Sequence, residues 1–265
     1  MRPAGTPTTL HGDSLSVRYN ARQPHILRDQ SAALAPGRIT ALIGPNGSGK
    51  STLLKTLGRQ LVPESGRVTL DGADIARLSP RDLAQRLGIL FQDNAAPEGL
   101  TTESLAYYGR HPHRRIFEDL TPEDHAAVKE AIRRTGVEAW RHRPLGELSG
   151  GQRQLAWLTM VLAQAPRLLL LDEPTAYLDL RHQLDVMQVI ASLRENLGLT
   201  IAMVVHDVNH AARFADDVIA LREGRIVARG PVAAVLTPEV LRAVFDVEVE
   251  CLHLADGTLV CVPLR

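Results

Sequence analysis

Lysine is scarce in this sequence of 265 residues, with three lysines against 27 arginines. Acidic and basic residues balance to a formal net charge of zero, which excludes a global basic field and disfavours nucleic acid as a partner. Long apolar runs are also lacking, because the best one, residues 168–171, is interrupted at Asp172, and the N-terminus lacks the apolar core of a signal peptide. We therefore expect a soluble chain, large enough for one large domain or for a core with a subdomain.

Cysteine is equally sparse, with two residues in the whole chain. Cys251 and Cys261 lie in a predicted terminal hairpin around Asp256-Gly257, where a three-residue loop would place them opposite each other. In a reducing cytosol the favoured interpretation is two small apolar side chains, and the sequence leaves any other role open.

The scarcity of lysine makes Lys50 informative, because it completes a glycine-rich loop that would accept an arginine if any cation sufficed. Glycines let successive backbone N–H groups turn inward around phosphate oxygens, and a strand at residues 38–43 and a helix at 49–59 are predicted on either side. This order predicts a nucleotide phosphate site. Its residues are Gly44, Pro45, Asn46, Gly47, Ser48, Gly49, Lys50, Ser51 and Thr52.

A second constellation ends a predicted buried strand, where Asp172 and Glu173 follow four leucines. Carboxylates at such a place are costly unless they serve a cation or a reaction. Asp172 suits Mg²⁺ together with the Ser51 hydroxyl, and Glu173 suits a general base that activates water. A strand that simply ends in solvent is the alternative, and the phosphate loop in the same chain disfavours it.

A third motif precedes a helix that we expect to begin near Arg153. Its residues are Leu148, Ser149, Gly150, Gly151 and Gln152. The serine hydroxyl, the glycines and the helix N-terminus together predict a second anion site, which would be useful if it met the nucleotide of another subunit. A simple helix cap is the alternative.

Strands and helices alternate along most of the chain, which predicts an α/β fold with a mainly parallel sheet. Strands are expected at residues 13–19, 38–43, 67–70, 87–91, 167–172, 200–206 and 217–221. Residues 100–164 have helical character and read as an insertion between strands. Residues 247–263 read as an antiparallel hairpin.

The order of Tyr19, the phosphate loop, Gln92, the 148–152 motif, the Asp172-Glu173 strand and His206 resembles the ATP-binding subunit of an ABC transporter over nearly the full chain. The resemblance implies a P-loop ABC ATPase core with an antiparallel β subdomain and a helical subdomain insertion. It implies a flexible terminus at 1–9, an ATPase domain at 10–246 with the helical subdomain at about 93–165, and a hairpin at 247–265. ATP and Mg²⁺ are the implied ligands.

The resemblance also implies residue roles. Tyr19 would stack on adenine, Gln92 would reach the metal or the attacking water, and His206 would contact the γ-phosphate and hold Glu173. Lys50 would bind phosphate, and the metal set would be Ser51, Gln92 and Asp172. The 148–152 signature would act on the ATP of a second copy in a head-to-tail homodimer, with Asp179 at the interface.

Segments 109–117 and 206–216 and the region 230–245 are similar to importers of iron-siderophore complexes, haem and cobalamin, and we favour ferric siderophores. The implied partners are transmembrane permease subunits, contacted through residues 93–100, and indirectly a substrate-binding protein. The expected location is the cytoplasmic face of the cell membrane. Alternatives are a soluble ABC ATPase of iron-sulfur assembly or DNA repair, and a nonhydrolytic dimerisation switch, which Glu173 and His206 disfavour.

Overall fold

A computed structural model describes residues 8–20, 22–92, 94, 97–115 and 118–264 of the chain. The chain divides into two compact units, which we describe separately: residues 1–77 with 198–265, and residues 78–197. Within the described ranges, no helix is both long and apolar enough to cross a bilayer.

The first unit begins with the strands β1 (Leu10–Val17), β2 (Leu27–Leu34) and β3 (Ile39–Ile43), the helix α1 (Lys50–Leu57), and the strands β4 (Ser65–Leu70) and β5 (Ala73–Asp74). Strands β2, β1, β4 and β5 form an antiparallel sheet in that order. This sheet contains two strands that the sequence analysis missed, β2 and the two-residue β5. The polar run Arg28-Asp29-Gln30 in β2 hides the strand pattern, although Leu27 and Leu34 are buried.

The second unit contains α2 (Pro80–Ala84), β6 (Leu87–Leu90), α3 (Thr102–Tyr108), α4 (Pro122–Thr135), α5 (Gly150–Ala163), β7 (Leu168–Asp172) and α6 (Leu180–Leu197). In its described residues, the predicted helical insertion contains three separate α-helices, with loops and short 3₁₀ turns between them. Helix α5 begins at Gly150, three residues earlier than expected, because Ser149 caps it and the glycines form its first turn.

The chain then returns to the first unit through β8 (Thr200–Val204), α7 (Val208–Phe214), β9 (Asp217–Arg222), β10 (Arg225–Pro231), α8 (Val232–Val235), α9 (Pro238–Phe245), β11 (Val249–His253) and β12 (Leu259–Pro263). Strand β10 was also missed, because only every second residue is partly buried and two arginines and two glycine or proline residues interrupt the pattern. The predicted terminal hairpin is confirmed, since β11 and β12 pair antiparallel.

The order of the strands determines where the loops after β3 and β8 leave the sheet of the first unit. Strand β3 is buried along its whole length and lies parallel to β8 on one side and to β9 on the other. Parallel strands end at the same edge of a sheet, and Leu42 is in register with Val204. The loop after β3 and the loop after β8 therefore leave from one edge.

The second unit repeats this arrangement with β6 and β7, which are parallel with Leu90 opposite Leu171. Helices α3 and α5 contribute to an apolar cluster that contains Leu105, Leu145, Leu148 and Ala156, and α4 packs against both helices. A buried ion pair joins Arg110 to Asp124, with the Arg110 Nε 2.8 Å from the carboxylate. Burial alone would raise the pKa of Asp124, but hydrogen bonds from Arg110 and Thr121 outweigh it and hold the pKa below its usual range.

Candidate functional site

The glycine-rich loop turns sharply after β3, and its glycines are required by the backbone. Gly44 has φ of +145°, and a Cβ there would lie 2.1 Å from the Leu221 carbonyl oxygen. Gly49 has φ of +101° and is the N-cap of α1. Because a glycine occupies the cap, no side-chain hydrogen bond closes the start of α1 within the described chain. The helix therefore presents its positive end to the loop.

Lys50 lies inside this loop and not on its surface, since only 5% of the residue is exposed. Its Nζ donates hydrogen bonds to the carbonyl oxygens of Gly44, at 2.8 Å, and Pro45, at 3.0 Å. The Ser48 hydroxyl is buried, and among the described residues it has no hydrogen-bond partner. A buried ammonium and an unsatisfied hydroxyl inside a glycine-rich turn fit a phosphate group, whose oxygens accept hydrogen bonds.

Tyr19 lies in the same unit as the loop, on the segment between β1 and β2. The residue is 52% exposed, and its hydroxyl is 3.4 Å from the Thr52 Oγ1 in the first turn of α1. Glu64 holds this segment by accepting hydrogen bonds from Arg18 and from the His25 ring. The exposed ring beside the phosphate loop is suited to stack on a planar base.

His206 is exposed in the loop after β8, at the strand edge from which the phosphate loop also leaves. Asp207 follows it and caps α7 by accepting a hydrogen bond from the Asn209 backbone N–H at 2.8 Å. The first unit thus brings together three predicted elements: Tyr19, the phosphate loop and His206.

Glu173 and Gln92 meet in the second unit. The Gln92 Nε2 donates a hydrogen bond to the Glu173 carboxylate at 2.8 Å, and Glu173 has a left-handed backbone with φ of +52°. This bond was missed by sequence reasoning, although the signal existed: both residues follow strands, and β6 and β7 are neighbours. Asp172 precedes Glu173 at the end of β7 and is only 2% exposed. A left-handed non-glycine residue is strained, which is common where function dictates geometry.

The signature motif begins α5 as a capping box. The Ser149 hydroxyl accepts a hydrogen bond from the Gln152 backbone N–H at 3.2 Å, and the Gln152 side chain accepts one from the Ser149 N–H at 3.1 Å. Leu148 is buried in the apolar cluster, whereas Ser149 and Gly150 are exposed. The motif therefore caps α5, which the sequence analysis gave as the alternative, and the second anion site at the exposed Ser149 stays a prediction.

Asp179 is linked to the signature by a histidine that sequence reasoning missed. Its carboxylate accepts a hydrogen bond from the His182 backbone N–H at 2.9 Å and lies 2.8 Å from the His182 ring nitrogen. These bonds hold the pKa of Asp179 below its usual range. The same ring packs on Gly151, where an added Cβ would approach it to 2.5 Å. The spacing of three residues between Asp179 and His182 was the available signal.

Comparison with known proteins decides the family. The family described as "ABC transporter" matches residues 27–176, which is more than half of the chain. The chain belongs to the ABC transporter family. The fold class predicted from the sequence and the prediction of an ATP-binding, ATP-hydrolysing protein are thereby confirmed.

Two relatives within the ABC family cover most of this chain. The iron(3+)-hydroxamate import ATP-binding protein of Bacillus subtilis is 45% identical, over 91% of this chain and 89% of the relative. The ferric enterobactin transport ATP-binding protein of Escherichia coli is 40% identical, over 96% and 94%. A solved metal-chelate type ABC transporter in an inward-facing conformation superposes with a TM-score of 0.84 at 26% identity, covering 97% of this chain and 98% of that one.

Proposed function

We propose that this ABC protein is the ATP-hydrolysing subunit of an importer that takes up iron-siderophore complexes through a membrane permease. The cargo assignment rests on sequence identity. This chain is 40% or more identical to two relatives named for ferric-chelate import, over about nine-tenths of both chains. The buried Lys50 and the strained Glu173 supply the groups that ATP binding and hydrolysis require.

ATP binding begins at the phosphate loop. The Lys50 ammonium, which donates to the carbonyls of Gly44 and Pro45, donates to phosphate oxygens, and the Ser48 hydroxyl gains the acceptor that it lacks among the described residues. Tyr19 stacks on the adenine ring. This division of labour follows from the positions of these groups around the start of α1.

Glu173 is the general base for hydrolysis. A water oxygen attacks the γ-phosphorus, the bond from that phosphorus to the bridging oxygen breaks, and ADP leaves as Glu173 accepts the proton of the water. Gln92 holds the carboxylate through the 2.8 Å hydrogen bond. His206 contacts the γ-phosphate.

Mg²⁺ fits the donor set that this chain supplies. The Asp172 carboxylate, the Ser51 hydroxyl and the Gln92 amide oxygen are hard oxygen donors of the kind that this ion prefers. Asp172 is buried at the end of β7, where the sequence analysis expected a metal ligand. The bound ion supplies neutralisation of phosphate charge.

A second copy of the chain completes the site in this proposal. The exposed Ser149 and Gly150 at the start of α5 face the nucleotide that the other copy holds, and Asp179 lies at the interface. The bond from Asp179 to His182, and the packing of His182 on Gly151, provide a physical connection between the interface and the signature.

The remaining parts of the proposal come from the resemblance. Transmembrane permease subunits and, indirectly, a substrate-binding protein are the partners, and the chain lies on the cytoplasmic face of the cell membrane. Residues 93–100 contact the permease, although positions 93, 95 and 96 lie outside the described residues. The predicted domain limits 1–9, 10–246, about 93–165 and 247–265 belong to the same proposal, with residues 1–7 and 265 also outside that description.

Co-purification tests the proposed function. The tagged chain is expressed in its native host, extracted in mild detergent and purified, and its partners are identified by mass spectrometry. We expect a polytopic membrane protein, ATPase activity in the complex, and uptake of a radiolabelled ferric hydroxamate that is lost in cells carrying the Glu173→Gln variant. Recovery of soluble partners alone, together with unimpaired ferric hydroxamate uptake in the variant cells, would contradict the importer assignment.

A further inference from the structure

The two cysteines of this chain face each other across the terminal hairpin. Cys251 of β11 is in register with Cys261 of β12, and their Sγ atoms are 3.8 Å apart. Cys251 is partly exposed, whereas Cys261 is 5% exposed. Because the chain contains just these two cysteines, each has the other as its one possible partner within the chain.

The hydrogen bonds of the hairpin show whether the two cysteines form a hydrogen-bonded or a non-hydrogen-bonded cross-strand pair. Leu254 donates its N–H to the Thr258 carbonyl, and Leu264 donates to the Glu248 carbonyl, so these two pairs are of the hydrogen-bonded kind. The two kinds alternate along an antiparallel ladder, which makes Cys251 and Cys261 a non-hydrogen-bonded pair. In such a pair the Cα atoms approach to about 4.5 Å, which lies within the range that a disulfide spans.

Helix α7 forms hydrogen bonds with the backbone N–H and carbonyl of Cys261. Its N–H donates to the Asn209 Oδ1 at 2.8 Å, and its carbonyl accepts from the Asn209 Nδ2 at 3.3 Å. Asn209 is the second residue of α7, and its N–H is bonded to Asp207, the residue that follows His206. A side-chain amide therefore ties the cysteine strand to the segment that carries His206.

We infer that Cys251 and Cys261 form a reversible disulfide whose formation moves the segment from His206 to Asn209 and lowers ATP hydrolysis. The effect on hydrolysis rests on the proposed role of His206. The oxidant is a peroxide, since a reducing cytosol keeps the pair as thiols otherwise.

The chemical step is balanced with hydrogen peroxide. The Cys251 sulfur attacks one peroxide oxygen, the O–O bond breaks, and the first water leaves while Cys251 becomes a sulfenic acid. The Cys261 sulfur then attacks the sulfenic sulfur and loses its proton, the S–O bond breaks, and the second water leaves. The two thiols thus lose two electrons and two protons to the peroxide.

Exposure sets the order of these events. Burial, followed by the neighbouring Cys251, raises the pKa of Cys261 to about 12, so this thiol stays protonated at neutral pH. The partly exposed Cys251 therefore meets the oxidant first, and Cys261 resolves the sulfenic acid. A disulfide usually holds its Cα atoms about 5.5–6 Å apart, which is more than the roughly 4.5 Å of a non-hydrogen-bonded pair. Closing the sulfur separation from 3.8 Å to about 2.05 Å therefore pushes β12 away from β11 and loads the bonds of Asn209.

The experiment uses the full chain, reduced or treated with hydrogen peroxide, in three readouts: intact mass after alkylation, ATPase rate, and hydrogen exchange of α7. We expect oxidised protein that is two hydrogen atoms lighter, resists alkylation and exchanges faster at α7. We expect its ATPase rate to be about tenfold lower, since displacements near 1 Å at a reacting centre cost up to about 10²-fold. Dithiothreitol restores all three.

The Cys251→Ser variant is the matched control, because it keeps the fold of the hairpin and cannot form the bond. Before and after peroxide, this variant should hydrolyse ATP at the rate of the reduced wild-type protein. Asn209→Ala should lower the rate without oxidant and remove the further effect of peroxide. If Asn209→Ala unfolds, the exchange of α7 in oxidised wild type decides the question.

Two results would overturn the inference: both thiols stay alkylatable after peroxide, or the disulfide forms and neither α7 exchange nor the ATPase rate changes. The ATPase rate of the reduced wild-type protein distinguishes a failure of the disulfide inference from a failure of the proposed function. A reduced chain with no ATPase activity, alone or with its permease, counts against the proposed function, whereas the exchange of α7 still tests the disulfide.

Discussion

Two helices of this chain begin at loops that are predicted to bind phosphate, and they begin in opposite ways. Helix α1 has a left-handed glycine as its cap and no side-chain hydrogen bond at its start within the described chain. Helix α5 has a serine cap, and Ser149 and Gln152 close the helix start reciprocally. The N-terminus of α1 presents its positive end to a loop that contains Lys50. At the N-terminus of α5, side chains of the motif accept hydrogen bonds from the backbone N–H groups of Ser149 and Gln152.

The difference indicates when each helix receives its ligand. An uncapped N-terminus beside a buried ammonium favours an anion, so α1 is suited to bind a nucleotide phosphate within one chain. A self-capped N-terminus is stable in water, so α5 can remain exposed until, in the proposed dimer, a second copy brings its nucleotide. The Ser149 hydroxyl would then donate its hydrogen to a phosphate oxygen, while its oxygen still accepts from the Gln152 N–H.

Glu173→Gln should have the largest effect, and it tests hydrolysis without altering the start of either helix. Glu173→Gln removes the proposed base and leaves the phosphate loop and the signature unchanged. We expect the ATPase rate to fall by about 10² to 10⁴-fold while ATP binding persists and the ATP-bound dimer accumulates. Steady-state ATPase assays, with size-exclusion chromatography in ATP, measure both quantities.

Glu195→Gln on α6 is the control for this change, since it makes the same substitution away from the proposed site. It should hydrolyse ATP at the wild-type rate. An unchanged rate in Glu173→Gln would remove Glu173 as the base.

Lys50→Ala tests the open helix start. The ammonium makes charge-assisted hydrogen bonds, which contribute about 1.5–3 kcal/mol each, so its loss should raise the Kd for ATP by about 10- to 100-fold. Titration calorimetry measures the Kd. Lys129→Ala removes an exposed lysine of α4 and should bind ATP normally; equal weakening in both variants would mean that Lys50 has no special role.

Ser149→Ala tests the closed helix start, and Thr121→Ala is its matched control because Thr121 forms the same capping box on α4. Each loses a cap, so each should lose about 1 kcal/mol in free energy of unfolding. Only Ser149→Ala should also lower the ATPase rate, by about tenfold, since one hydrogen bond to a charged phosphate is lost. Urea unfolding and ATPase assays separate the two effects. Equal ATPase rates would reduce the signature serine to a structural cap.

Tyr19→Phe should have the smallest effect. The 3.4 Å contact of its hydroxyl with Thr52 is long for an O–H···O hydrogen bond, so the Kd for ATP should change by less than about twofold. Tyr19→Ala removes the stacking ring and should weaken ATP binding by about 5- to 50-fold. A large loss in Tyr19→Phe would show that the hydroxyl and not the ring face matters.

Much of the candidate site follows from local patterns. The glycines at 44, 47 and 49, the lysine after them and the carboxylates that end β7 were recognisable because each belongs to a short contiguous motif with a definite chemical requirement. The strands β3, β7 and β8 were predicted within two residues, since continuous apolar runs indicate buried parallel strands. Strands β2, β5 and β10 were missed. Strands β2 and β10 carry polar residues, β5 has two residues, and all three are defined by pairing with a neighbouring strand.

The sequence by itself determined the family, the nucleotide and the chemical groups, because motif composition and order are properties of the chain. The tertiary structure decided which groups touch: the bond from Gln92 to Glu173, the contact of His182 with Gly151, and the link from Asn209 to Cys261. These contacts join residues separated by 81, 31 and 52 positions. Only the pairing of strands and the packing of helices bring such distant residues within the few ångströms over which hydrogen bonds and contacts act.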